Sequence, residues 1–118
     1  MTKKELEERL IIYAVNIVKL TNYNSTNYAG IHLSKQIIRS STSSPLNYGE
    51  AQSSESKRDF IHKMKIILKE LRETHICLRI TIKAKLFSEG LKLDVAVKEV
   101  NELISIFVSS IKTAQKKS

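Results

Sequence analysis

Between Ser56 and Lys85 the seam positions Ile61, Met64, Leu68, Leu71, His75, Leu78 and Ile82 recur at alternating steps of three and four. That spacing gathers them on one side of an α-helix. At ~1.5 Å per residue the helix is ~45 Å long, so its stripe needs an equally long cover. The rest of the chain offers cover of the same kind. From Lys4 to about Asn22, Leu6, Leu10, Tyr13, Ile17 and Leu20 share a face, and Thr2 with Glu5 has the spacing of a capping box. From about Leu93, Val97, Val100, Ile104, Phe107 and Ile111 predict a last helix, with the lysine-rich tail from Lys112 to Ser118 expected to fray.

The connections are short and polar. Asn22 to Asn27 is rich in side chains that bond their own backbone and favours a turn. Gln52 to Ser56 reads as a loop ending in a helix cap, and Ser88-Glu89-Gly90 interrupts the pattern before the last helix. A second helix begins near Tyr28 and carries Ile31, Ile37 and Ile38 toward Pro45. Proline has no amide to donate and crowds the carbonyl four residues earlier, which predicts a stop or a kink; propensity does not choose between them.

These segments predict an all-α, up-down-up-down four-helix bundle in one domain, residues 1–118, because each stripe buries itself against another helix. Three glycines and one proline argue against a hairpin-rich β fold. No repeat of solenoid period is present. The lone Cys77 excludes an intrachain disulfide and fits a reducing cytoplasm. The longest apolar run, Leu10 to Val15, is far below the ~20 residues of a membrane span, so no membrane partner is expected.

Twenty lysines and arginines against twelve acids give a net charge of +8, which favours polyanionic partners. The excess is uneven: residues 52–90 carry nine basic and five acidic side chains, residues 24–51 only Lys35, Arg39 and Glu50. Arg58, Lys65, Lys69, Arg72, Arg79 and Lys83 line up beside the apolar stripe of the third helix as a basic ridge suited to successive phosphates. The plainer reading is a solvated face with helix pairs such as Lys69 with Glu73. Gln36, Arg39, Ser40, Ser43, Asn47 and Glu50 form a polar stripe if the second helix continues past Pro45. Facing inward, its Arg39 would need a carboxylate, with Glu70 and Glu73 as the suppliers; otherwise the stripe is an exposed Ser-rich helix end.

Catalytic residues are not expected. His32, His62 and His75 lack the paired Glu-x-x-His spacing of a bundle metal site, Cys77 has no evident base, and no phosphate-cradling glycine loop occurs. Neither a metal nor a cofactor is expected.

One set of residues carries a likeness to a family. Leu33, Gln36, Ile37, Arg39 and Ser40, then Ser43, then Asn47, Tyr48, Glu50 and Ala51, are followed by Asp59-Phe60-Ile61-His62-Lys63-Met64, Ile66, Leu68, Lys69, Glu70, Glu73, Thr74 and Leu78. Together they resemble the bacterial four-helix-bundle proteins encoded in intervening sequences of 23S ribosomal RNA genes, over about Leu6 to Ile111. The resemblance implies an up-down bundle assembled as a ring-like homopentamer, without catalytic activity, and a second helix that bends through Pro45. It also implies kinship with the accessory variability determinant of diversity-generating retroelements, a basic pentamer that binds nucleic acid and its reverse transcriptase. The chain departs from many relatives at Pro45-Leu46, where they carry small residues.

Charge and resemblance together predict a non-enzymatic cytoplasmic homo-oligomer that binds RNA or another nucleic acid through the ridge. The competing expectation is a protein-interaction scaffold for a polymerase-type partner.

Overall fold

Thr2 opens the first helix: its hydroxyl accepts from the Glu5 amide at 3.1 Å while the Glu5 carboxylate accepts from the Thr2 amide at 2.9 Å. The reciprocal pair satisfies two early donors. In the computed structural model, which describes residues 1–88 and 90–117 apart from the Leu91 side chain, four helices follow. They are α1 (Lys3–Leu20), α2 (Tyr28–Ala51), α3 (Lys57–Lys83) and α4 (Gly90–Lys116), and no strand is present among the described residues. Asn27 caps α2 through the Gly30 amide, and Ser56 caps α3 through the Asp59 amide.

Each helix packs on its neighbours in sequence, and α1 closes loosely on α4. The two turns that join α1 to α2 and α3 to α4 lie at the same end and clasp each other. The Ser25 amide donates to the Leu86 carbonyl at 2.7 Å, and Asn24 pairs with Phe87. The result is a rod of 50 × 21 × 20 Å. Leu10, Ile37, Ile67, Leu71, Leu78, Val100, Leu103 and Phe107 fill its axis, and Tyr48 meets Phe107 edge to face at 5.9 Å.

The helix α2 runs on through Pro45. The proline leaves the Ser41 carbonyl without its amide, yet the hydroxyls before it fold back onto backbone carbonyls. Ser41 and Thr42 reach Ile38, and Ser43 reaches Ser40 at 2.8 Å. Such back-bonding accommodates a bend. Burial of Ser44, Tyr48 and Ala51 on either side of Pro45 then outweighs the local tendency to stop.

Several expectations from periodicity shift by part of a turn. The centre line of α3 passes through Met64, Ile67, Leu71, Thr74, Cys77, Leu78 and Thr81, leaving Ile61, Leu68, His75 and Ile82 half-buried on its flank. Packing against both α2 and α4 widens the buried sector, and threonines enter it because their hydroxyls are satisfied within the helix: Thr81 donates to the Cys77 carbonyl at 2.8 Å. In α4 the core falls on Leu93, Ala96, Val100, Leu103, Phe107 and Ile111, while Val97 and Ile104 flank it. Ile31 is not a core residue; its side chain is exposed, and small serines let α2 approach its neighbours instead. The tail does not fray from Lys112, since α4 stays helical to Lys116 with Ala114 half-buried. Helix α3 ends at Lys83, short of Lys85, and α4 starts at Gly90, ahead of Leu93; Glu89 of the expected break and Ser118 of the tail lie outside the described residues.

Candidate nucleic-acid interface

With its inner sector committed to the core, α3 turns the opposite one to solvent. Arg58, Lys65, Lys69, Arg72, Arg79 and Lys83 are all exposed there. From Arg58 to Lys83 the ridge runs ~38 Å along a single helix. The three acids of α3, Asp59, Glu70 and Glu73, are all half-buried and lie off that face. Among the described residues none of the six cations forms an ion pair; the ion pairs present belong to Arg9 and Arg39.

The reason is the seam between α2 and α3. Arg39 reaches across to Glu70 at 3.2 Å and to Glu73, so the carboxylate spaced to meet Lys69 is engaged elsewhere. Beneath it the hydroxyls of Ser40 and Thr74 meet at 2.7 Å, fully buried. Of the polar stripe, Arg39 and Ser40 join α2 to α3. Asn47 and Ser43 bond only along their own helix, with the Asn47 amide donating to the Ser43 carbonyl at 2.8 Å. Gln36 and Glu50 stand outside the network. Arg39 itself is 51% exposed, so its ion pairs lie at the surface and not in the interior.

Two features of the ridge are not evident from charge alone. Ile76 and Ile80 are 49% and 46% exposed and interleave with Arg72, Arg79 and Lys83. At its start, Lys57 and His62 join Arg58, Lys65 and Gln115 of α4 around a hollow of about 590 Å³. The position of His62, four after Arg58 and three before Lys65, would have placed it there from spacing. Apart from the His62 imidazole at its start, no aromatic side chain stands exposed on this face of α3, where Phe60 packs against the core. The face therefore offers cations to a phosphate backbone and no succession of aromatic platforms for stacked bases.

A second ionic feature lies outside the sequence expectations. Arg9 of α1 donates to both oxygens of Glu99, at 2.9 and 2.6 Å, and to Glu102 at 2.6 Å, fastening α1 to α4. The hydrogen bonds that it donates to Glu99 raise its guanidinium pKa above the usual value. Cys77 is buried, which raises its thiol pKa and disfavours the reactive thiolate. Among the described residues no three His, Cys, Asp or Glu side chains converge as a metal site, and no helix is long and apolar enough to cross a membrane.

No curated protein matches the sequence. The structure is similar to the crystal structure of a protein of unknown function from the S23 ribosomal protein family of Bacteroides thetaiotaomicron. The two are 30% identical, the alignment covers 95% of this chain and 99% of that one, and the TM-score is 0.84. Residues 5–109 match the profile of the 23S rRNA-intervening sequence protein, a span that takes in all of α2 and α3 and most of α1 and α4. The chain belongs to the 23S rRNA-intervening sequence protein family.

Proposed function

We propose that the protein is a non-enzymatic, cytoplasmic bundle that binds RNA or another duplex nucleic acid along the outer face of α3. The observation that carries this reading is the segregation of charge on one helix. Six exposed cations run along ~38 Å while every carboxylate of α3 is turned aside. A cation without an intramolecular partner gives up nothing in the free protein when it meets a phosphate, and binding gains the entropy of released counterions. The straight ridge, with no exposed aromatic but the His62 imidazole at one end, favours a structured backbone over an unpaired strand.

Self-association is part of the proposal. Ile11, Val15 and Val18 of α1 and Ile31 of α2 are exposed on the outer side of the bundle, an apolar surface that gains by being covered. Assembly as a ring-like homopentamer, as the family resemblance implies, would repeat the ridge around the ring and multiply its avidity. The second reading, a scaffold for a polymerase-type protein partner, draws its support from Ile76 and Ile80 within the ridge, since apolar side chains add little to phosphate contact.

Titration of a labelled RNA hairpin by fluorescence anisotropy, at increasing salt and with the solution mass measured in parallel, separates the two. Nucleic-acid binding predicts an affinity that falls linearly in log–log form with salt. Affinity no greater than that of an unrelated protein of equal charge would reject it and favour the scaffold.

A further inference from the structure

Tyr28, the first residue of α2, is the most exposed large apolar side chain among the described residues, at 86%. Its ring lies nearly parallel to that of His32 one turn on, 12° apart in plane and 6.2 Å between centroids. The core gains nothing from either ring, yet the backbone beneath them is firmly held. Asn27 caps the helix, the Asn24 side chain donates to the Gly30 carbonyl and the Ser34 hydroxyl, and the Ser25 amide ties the turn to Leu86. An exposed pair of rings on a fixed backbone is a surface on which a further flat group can stack.

The pair borders the end of the α3 ridge. Helices α2 and α3 run antiparallel, and Ser25 with Leu86, Arg39 with Glu73, and Ser40 with Thr74 fix their register along the seam. That register sets His32 level with Ile80, and Tyr28 level with Lys83 and Ala84. Tyr28, His32 and Lys35 follow one line of α2 that leads to Arg39, the side chain that reaches across to α3. Beside them on α3 stand Ile76 and Ile80, both exposed.

The charge of this corner is of one sign. Neither Asn24 to Gly49 nor Thr74 to Ser88 contains an acid, and Glu73, the next carboxylate along α3, is engaged by Arg39. Lys35, Arg79, Lys83 and Lys85 are exposed there. Cations beside stacked rings and aliphatic side chains are complementary to an anionic chain that also offers flat apolar faces, the chemistry of unpaired nucleotides.

We propose that this corner takes the unpaired nucleotides next to a duplex held on the ridge. A base stacks on the Tyr28 and His32 rings, Ile76 and Ile80 cover its edge or its sugar, and Lys35 and Lys83 meet the flanking phosphates. The inference rests on the ridge as a duplex site and adds which duplex is preferred, one that ends in a loop or an overhang. It also gives the two isoleucines a part that phosphate contact does not.

RNA stems of equal length test it by fluorescence anisotropy with the full chain: one blunt, one with a short overhang, and one with the same overhang lacking its bases. The base-bearing overhang is expected to raise affinity ~10-fold over the blunt stem, and the abasic one only by the smaller share of its added phosphates. Tyr28→Ala should remove most of the base-dependent gain with blunt-stem affinity and melting temperature unchanged, Ile80→Ser should remove part of it, and Tyr28→Phe, which keeps the ring, should preserve it. If all stems bind alike and with steep salt dependence, the corner is not a base site and the ridge stands alone. An abasic overhang that binds as well as the intact one overturns the proposal too, as does a change of solution mass in Tyr28→Ala, which would make the corner a contact between proteins. Absence of binding to every stem overturns the proposal and the ridge together.

Discussion

The Ser40 and Thr74 hydroxyls meet at 2.7 Å in the interior, tying α2 to α3 at full burial. Each hydroxyl also lies within reach of a carbonyl of its own helix, Thr74 donating to Glu70 at 3.1 Å and Ser40 to Ile37 at 3.4 Å, so either can be the donor in the pair. Removing one partner strands the other, whereas removing both replaces a polar contact with an apolar one. Ser40→Ala and Thr74→Val should each cost ~1–2 kcal/mol in urea unfolding, and the double variant clearly less than their sum. Additive losses would show that the two hydroxyls do not act together.

Arg39 lies directly above this pair but at the surface, where ion pairs are screened. A double-mutant cycle between Arg39→Ala and Glu73→Ala should give a coupling below ~1 kcal/mol, shrinking as salt is added. A salt-independent coupling of several kcal/mol would mean that the pair is shielded from solvent.

Two glycines in α2 should respond in opposite directions. A methyl group on Gly30 would meet the Ser25 carbonyl oxygen at 2.1 Å, a backbone atom held by the clasp between the two turns, whereas Gly49 has nothing within 4 Å. Gly30→Ala should lower stability by ~1–3 kcal/mol through overpacking. Gly49→Ala should raise it by ~0.5–1 kcal/mol, the usual cost of a glycine within a helix. Thermal melts of both variants test the contrast directly.

Alkaline pH should weaken the fold through its buried phenols. Burial raises the pKa of Tyr13 and of Tyr48 above the usual value of ~10. Thr74 opposes the shift at Tyr13, and Gln52 opposes it at Tyr48. Even so, the Tyr13 hydroxyl has no partner with the geometry of a hydrogen bond. The contribution is complete below the unfolded pKa and is lost as pH climbs from ~10 toward the raised folded values, where the unfolded chain has already released its protons. Tyr13→Phe should flatten this decline while costing little at neutral pH, because no made hydrogen bond is removed.

How much of this was legible in the sequence depends on which force decides each feature. The helices and their order follow from the three-and-four spacing, since a stripe of Leu10, Leu71 or Phe107 has no other place to go. The phase of each stripe does not, because Thr74, Ser40 and Ser44 read as polar yet are buried once neighbouring helices press against them. Pro45 obeys tertiary burial over local chemistry. The ridge from Arg58 to Lys83 was readable because exposure needs no partner. The partnership of Arg39 with Glu70 and Glu73 was also readable from the polar stripe, though as an inward pair and not one at the surface, whereas the fate of Glu99 was not, since Arg9 is 90 residues away in sequence.

The central claim is that the outer cations of α3 take the phosphates, and counting released counterions tests it most directly. The slope of log affinity against log salt should become shallower by ~2–3 in Lys65→Gln/Arg72→Gln/Arg79→Gln, in proportion to the three contacts removed. A matched variant carrying Lys4→Gln, Lys19→Gln and Lys98→Gln, exposed positions on α1 and α4, should keep the original slope. If the ridge variant retains the slope, or the control loses as much, α3 is not the nucleic-acid surface.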